Sequence, residues 1–136
     1  MGLFSRKPVL PDYVGISLEA RMKDPAWYDV VSSVPGFSDA TLVTNADGGT
    51  LMNFGVSGVL HVEAGILTIT PDRVAYAYAS KHEIGQVSHR VEKAALSYKG
   101  DLFIMQFDNP MNTWMVSSHD HRPFLEAFKK ARGYVA

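Results

Sequence analysis

The sequence predicts a mainly β domain of the α+β class, with about seven short antiparallel strands between a short N-terminal helical segment and a C-terminal amphipathic helix. Apolar residues at helical spacing are confined to the two ends, 17–34 and 120–132. Between them, short apolar runs alternate with turn residues. These connections are too short for the crossovers of parallel strands, so an antiparallel meander is expected.

The composition is that of one globular domain. The 136 residues are 46% hydrophobic and 20% charged, with a net charge of −1 and no cysteine. The apolar content excludes a disordered chain, and the missing cysteine excludes a disulfide scaffold and a thiolate zinc site. No uncharged apolar run is long enough to span a bilayer. We predict one domain over 17–136, preceded by an N-terminal arm, 1–16.

The N-terminal helical segment 17–34 is predicted in two pieces. Asp24 can cap the second piece and Pro25 suits its first helical position, while Pro35-Gly36 ends it. The apolar stripe of this piece is expected to pack on the rest of the domain: Trp27, Val30, Val31 and Val34.

Two turn signals divide the first strands. Ala46-Asp47-Gly48-Gly49 predicts a hairpin turn, because Asp-Gly accommodates the positive φ angles of primed turns. Pro71-Asp72 predicts a type I turn. After it, residues 74–79 alternate large side chains with alanine, which predicts one packed face and one closely approached face. Two weaker strands are predicted at 83–88 and 91–98.

The C-terminal helix, 120–132, carries signals at both ends. Asp120 can cap it, Pro123 lies in its first turn, and Gly133 suits the position after its end. Cations in the last turn suit the helix dipole. The apolar stripe consists of Phe124, Leu125, Phe128 and Ala131.

The order of these elements and one hairpin resemble the bacterial pleckstrin-homology-like (PH-like) domains, including GRAM-like and YokE-like ones. Residues 65–76 resemble the family's hairpin pattern G-x-L-x-x-T-x-x-R-h-h-h, where h is apolar. Residues 102–104, 114–116 and 124–128 resemble its last two strands and its capping helix. The resemblance implies a half-open antiparallel barrel of about seven strands, closed by the C-terminal helix.

Phosphoinositide binding is the activity best known for this fold, and it draws on lysines and arginines in and around the first two strands. Here that region falls within 24–72, which has no lysine or arginine. The resemblance therefore implies the fold without a specific phosphoinositide site, and the charge favours a basic partner. The stretch contains six acids: Asp24, Asp29, Asp39, Asp47, Glu63 and Asp72.

No catalytic, cofactor or metal site is predicted. Gly55-Val-Ser-Gly misses the G-x-S-x-G elbow, because Val59 stands at the last glycine position. His119-Asp120-His121 is a compact set of ligand types, but neighbours in a turn rarely converge on one ion, and Asp120 suits a helix cap better. Nucleic-acid binding is not predicted, since the bases are dispersed among acids.

We therefore predict a non-catalytic binding or adaptor module, from a bacterium or a bacteriophage, that recognises a protein or peptide partner. A homo-oligomer formed through an unpaired strand edge is a variant of this hypothesis. For Tyr76, as for Trp114, a place in the core is the alternative to a partner contact. The candidate partner-binding residues are Asp39, Asp47, Glu63, Tyr76 and Tyr78.

The alternative function is a peripheral membrane module that uses the N-terminal arm through Leu3, Phe4, Arg6 and Lys7. Membrane contact would be weak at most. Leu3-Phe4 is too short an apolar core for a signal peptide, so a cytoplasmic location is expected. A small-ligand carrier or an enzyme ranks lowest, because side chains normally fill a barrel of this size.

Overall fold

The computed structural model describes residues 15–52, 58–79, 83–108 and 112–133, which form two antiparallel β-sheets and three α-helices. The mainly β, α+β class is confirmed. The helices are α1 Leu18–Met22, α2 Pro25–Ser32 and α3 Arg122–Ala131, and short 3-10 turns cover Phe37–Asp39 and Val91–Lys93. The strands are β1 Leu42–Asn45, β2 Thr50–Met52, β3 Val59–His61, β4 Gly65–Ile69, β5 Arg73–Ala79, β6 Ile84–Arg90, β7 Ala95–Lys99, β8 Leu102–Gln106 and β9 Thr113–Ser117.

The four-stranded sheet has the order β1-β4-β5-β6, and the five-stranded sheet has the order β3-β2-β9-β8-β7. Consecutive strands β4 to β6 and β7 to β9 form meanders, as the short connections predicted. Pro71-Asp72 is the turn between β4 and β5. Within the described ranges β6 and β7 do not pair, so the two sheets do not close into a barrel.

A bent hairpin, residues 42–52 against 59–69, runs through both sheets. Its two halves, β1 with β4 and β2 with β3, keep one register. Three backbone hydrogen bonds join the halves: Ala46 N to Gly65 O, Gly48 N to Glu63 O, and Val62 N to Gly49 O.

The hairpin turn predicted at Asp47-Gly48 is therefore wrong. The chain bends there and continues from one sheet into the other, instead of reversing. Gly48 has the positive φ, 73°, that the sequence signal required. The same backbone angle produces a bend here, because the backbone N–H groups of Ala46 and Gly48 donate to residues 65 and 63 and not across a turn.

The N-terminal helices cover the outer face of the four-stranded sheet. Asp24 caps α2 by accepting from Ala26 N at 3.0 Å, and Pro25 takes the first helical position, as predicted. Trp27 and Val31 pack on Ile66 and Ala77. The alternation in β5 explains this contact, because the alanines let the helix approach closely.

The main core lies between the inner faces of the two sheets and is capped by α3. The helix begins at Arg122, two residues later than predicted, and its N-cap position is His121 instead of the predicted Asp120. Asp120 Oδ1 still accepts from Arg122 N at 3.0 Å. Phe124 and Phe128 are buried, and Gly133 has a φ of 78°. Thr41 Oγ1 donates to Ala127 O at 2.9 Å and ties α3 to the start of β1.

The region predicted as strands 83–88 and 91–98 is arranged differently in detail. β6 extends over 84–90, and a 3-10 turn at Val91–Lys93 separates it from β7 at 95–99. In the described part of the chain, no helix has both the length and the apolarity needed to cross a bilayer.

Candidate functional site

The predicted acidic residues lie on different elements of the fold. Asp39 is exposed in the 3-10 turn before β1, and Glu63 is exposed between β3 and β4. Asp47 lies at the bend of the hairpin. Strand β1, whose four residues span about 13 Å at ~3.3 Å per residue, lies between Asp39 and this bend. Contact of a basic partner with Asp39 and Glu63 stays a prediction.

Asp47 is held by Arg21 of α1. Nη1 and Nη2 of Arg21 donate to the two carboxylate oxygens at 2.7 and 2.9 Å, and Nη1 also donates to Gly65 O at 3.1 Å. The Arg21 side chain is 0% exposed, against 30% for Asp47. Oδ1 of Asp47 also accepts from Gly65 N at 3.0 Å. The charge of Asp47 is thus neutralised by a buried arginine, and contact of its exposed part with a partner stays a prediction.

This Arg21–Asp47 pair has a structural role. The Arg21 guanidinium carbon lies 5.7 Å from the Trp27 ring centre, which adds a cation–π contact. The pair and Trp27 therefore fix the N-terminal helices to the bend. A two-point arginine–carboxylate contact also fixes orientation, which a single hydrogen bond does not.

Tyr76 is in the core, as its alternative interpretation predicted, and cannot contact a partner. Its side chain is 0% exposed, and its hydroxyl donates to Ala46 O. Burial, with Asp47 nearby, raises the pKa of Tyr76. Two glycines make room for the ring: a Cβ on Gly65 would lie 2.3 Å from Tyr76 Cε1, and one on Gly49 would lie 1.9 Å from Tyr76 Oη.

Tyr78 is half-buried opposite Gly85, whose missing side chain leaves room for its ring. Burial, and secondarily Glu83, raises the pKa of Tyr78. Trp114 is buried, as expected. The predicted membrane residues Leu3, Phe4, Arg6 and Lys7 lie outside the described residues.

The side chains of His119, Asp120 and His121 bond to different partners. His119 Nδ1 is 3.4 Å from Asp101, while Asp120 binds Arg122, which lowers the pKa of Asp120 to about 2. His121 Nε2 donates to Gly100 O at 3.0 Å. Among the described residues, no three acidic or histidine side chains are placed to hold a metal ion.

A cleft of about 280 Å³ lies at the end of α3, between Pro71, Val91 and Arg132. Arg132 donates to the carbonyl oxygens of Val91 and Ala94. Its guanidinium therefore holds the 3-10 turn to α3.

The strand edges differ in how far they are exposed. Every residue of β1 is half-buried, and every residue of β6 except Arg90 is half-buried as well. Gln86 Nε2 of β6 also donates to Val30 O of α2 at 2.6 Å. In β7, by contrast, every residue except Leu96 is exposed. We define the β7 edge as residues Ala95–Lys99.

The β7–β8 turn determines which backbone groups of the β7 edge are free. Lys99 pairs with Leu102 across the two-residue turn Gly100-Asp101, so these two residues exchange hydrogen bonds. By the alternation of an antiparallel pair, Ser97 and Ala95 also bond to β8. The residues between them direct their backbone groups away from the sheet.

Leu96 and Tyr98 are the residues with outward backbone groups. Within the described ranges, the outward N–H and C=O of these two residues have no hydrogen-bond partner in the structure. The side chains of both face inward, where Tyr98 stacks on His121 at a centroid distance of 4.8 Å. Tyr98 is nevertheless 61% exposed. The β7 edge thus combines open backbone groups with an exposed aromatic ring.

The outer face of the five-stranded sheet lies beside this edge. Ser97, Ile104 and Met115 form one row across β7, β8 and β9, and Leu102 is 38% exposed in the next row. Ile104 and Met115 are half-buried, although the described helices pack elsewhere.

Comparison with family models and with curated protein sequences finds no match for this chain. The β7 edge was not among the predicted contact residues. The signal for it is the sequence Leu96-Ser-Tyr-Lys, in which two inward apolar residues alternate with polar ones beside a tight turn. That pattern predicts a strand, but which of its sides is unpaired depends on the sheet order.

Proposed function

We propose that this chain is a non-catalytic PH-like binding module whose protein or peptide partner adds an extended strand to the β7 edge. The PH-like part of the proposal is supported by the bent hairpin. When its two halves are counted as two long strands, the described residues form seven strands followed by a helix, the order that the sequence resemblance implies.

The observation that carries the binding proposal is the pair of open residues in β7. An unpaired edge is a template for another strand, because each outward N–H and C=O lacks a partner that the sheet could provide. Main-chain hydrogen bonds then give affinity, and side-chain contacts give selectivity. Tyr98 and His121 supply an aromatic contact next to the open groups.

β7 also lacks the features that usually protect an edge. It contains no proline, and its only charged residue is Lys99 at the end. Among the strand edges that the structure describes, the other exposed one is β3, which has three described residues against five in β7. Of the two exposed edges, β7 is therefore the better site for strand addition.

The test uses peptides selected from a displayed library of random decapeptides against the immobilised protein. Tyr98→Pro removes the outward N–H and leaves the β7–β8 hydrogen bonds intact. Tyr98→Ala removes the same side chain but keeps the N–H, so it is the matched control. We expect Tyr98→Pro to bind the selected peptides about fivefold or more less tightly than Tyr98→Ala, since one hydrogen bond of ~1 kcal/mol is lost.

Amide hydrogen exchange provides an independent measurement. The amides of Leu96 and Tyr98 should exchange fast in the free protein and be protected when a peptide is bound. Peptides that bind equally to both Tyr98 variants and leave these amides unprotected would show that the partner site is elsewhere.

A further inference from the structure

We propose that the strand added to the β7 edge is β7 of a second copy of this chain, antiparallel about a twofold axis at Ser97. This inference rests on the proposed use of the β7 edge for strand addition, and it names the partner. The reason is that the open groups of the edge are complementary to themselves in one register.

In that register, Leu96 of each copy pairs with Tyr98 of the other. Both residues direct their N–H and C=O outward, so the pairing forms four hydrogen bonds and leaves none of these groups open. The two copies then share one continuous sheet, with the five strands of each copy on either side of the axis.

The neighbouring registers meet groups that are already bonded. Pairing Leu96 with Leu96 would place Tyr98 opposite Ala94, whose N–H donates to Val91 O and whose carbonyl accepts from Arg132. Pairing Tyr98 with Tyr98 would place Leu96 opposite Gly100, whose carbonyl accepts from His121 Nε2. The structure therefore favours the register centred on Ser97.

The side chains of this register are compatible. Ser97 faces Ser97 at the axis, and Lys99 faces Ala95, so no like charges are opposed within the strands. On the inner face Tyr98 lies opposite Leu96, which is a favourable aromatic–aliphatic pair.

Charges just beyond the strands are complementary. Lys93 lies two residues before β7 and Asp101 lies two residues after it, so the register brings Lys93 of one copy beside Asp101 of the other. Within one copy, Lys93 is 3.9 Å from Asp108 and Asp101 is 3.4 Å from His119, and all four side chains are exposed. Such exposed pairs are weak and can be exchanged for the contact between copies.

The test exploits the absence of cysteine from the chain. Residues opposite each other at a non-hydrogen-bonded position have Cα atoms about 4.5 Å apart, within the range that a disulfide spans. We expect Ser97→Cys to form an intermolecular disulfide under mild oxidation. Lys99→Cys is the matched control, because it lies on the same face of the same strand but faces Ala95.

A second arm tests the register itself. An equimolar mixture of Ala95→Cys and Lys99→Cys proteins should cross-link as a heterodimer much faster than either protein alone. A pairing of two short strands buries less than the ~1,600 Å² of a standard interface, so the dimer should be weak. The wild-type chain should therefore show a concentration-dependent dimer in analytical ultracentrifugation.

Three outcomes separate this inference from the proposed function. Preferential cross-linking of Ser97→Cys, with a wild-type dimer, supports the second copy. If Ser97→Cys cross-links no faster than Lys99→Cys while Tyr98→Pro still weakens peptide binding, the edge binds a different protein and the second copy is excluded. If neither peptides nor high protein concentration protect the amides of Leu96 and Tyr98, both proposals are overturned.

Discussion

The two sheets face solvent differently. The outer face of the four-stranded sheet is covered by α2, which buries Trp27 against Ile66 and Ala77. The corresponding face of the five-stranded sheet leaves Ile104 and Met115 half-buried. Both faces contain apolar residues at strand spacing, so hydrophobic pattern alone does not determine which face a helix covers. The small residues of β5 determine which face is covered, because they allow the helix to approach closely.

Loss of the helix cover should have the largest effect on stability. Trp27→Ala removes a completely buried side chain at the centre of this contact, and we expect a loss of about 3–5 kcal/mol in the free energy of unfolding. Tyr28→Ala, the next residue and 48% exposed, is the control, with an expected change of roughly 0.5 kcal/mol or less. Urea denaturation measures both. Equal losses would show that α2 does not stabilise the sheet through Trp27.

A pair of isoleucines compares the two faces directly. Ile66→Ala on the covered face should cost about 3 kcal/mol, because the side chain is fully buried. Ile104→Ala on the open face should cost about 1 kcal/mol, because the half-buried side chain loses less apolar contact. Thermal and urea unfolding measure the stability of both variants. Equal losses, or a larger loss for Ile104→Ala, would contradict the proposed difference between the two faces.

The Arg21–Asp47 pair joins the helix cover to the bend, and breaking it should have an intermediate effect. Asp47→Asn removes the negative charge that two nitrogens of the buried Arg21 guanidinium contact, and we expect a loss of about 2 kcal/mol. Asp39→Asn changes an exposed acid of the same stretch and should leave stability nearly unchanged. A loss in Asp39→Asn as large as that in Asp47→Asn would mean that general charge, not this pair, is responsible.

The smallest effect is expected at His89, where β6 of one sheet meets the other sheet. Its ring stacks on Phe107 at 4.2 Å, and Asn112 Nδ2 is 3.1 Å from its Nε2. Burial lowers the pKa of His89 below its ordinary 6.5, against the smaller opposing effects of Asp108 and Asn112, while Arg73 lowers it slightly further.

The unfolded chain keeps the ordinary pKa and so binds more protons just below pH 6.5. The stabilising contribution of neutral His89 is therefore complete above pH 6.5, and it is lost as the pH falls through the lowered pKa of the folded state. We expect His89→Gln to show a weaker fall in stability over this interval than the wild type. Parallel pH dependences of the two proteins would exclude His89 as the cause.

Local signals predicted the ends of the chain well. The α2 cap at Asp24-Pro25 and the Gly133 position after α3 depend on neighbours in sequence, and both are present. The alternation in β5 predicted a closely approached face, which α2 covers. In each case the interactions that fix the conformation span a few residues, so the sequence window contains them.

The bend and the candidate site could not be predicted in the same way. A positive φ at Gly48 serves a turn or a bend, and the choice depends on hydrogen bonds to residues 63–65. Asp47 was predicted to be a surface charge because no base occurs within 24–72, yet Arg21 lies just outside that stretch and folds back onto it. The open side of β7 follows from sheet order, which distant pairings determine.

The strand order also affects how the protein is made. The four-stranded sheet and its helices come from residues 18–90, so they can form while the chain is still being synthesised. One edge of β2 pairs with β3, but its other edge must wait for β9, because Leu51 also pairs with Trp114. Likewise, β1 is tied to α3 only when Ala127 has left the ribosome. In a nascent chain that ends before β9, β2 can pair with β3 but its other edge stays open, and we expect chaperone binding or aggregation to concentrate at that stage.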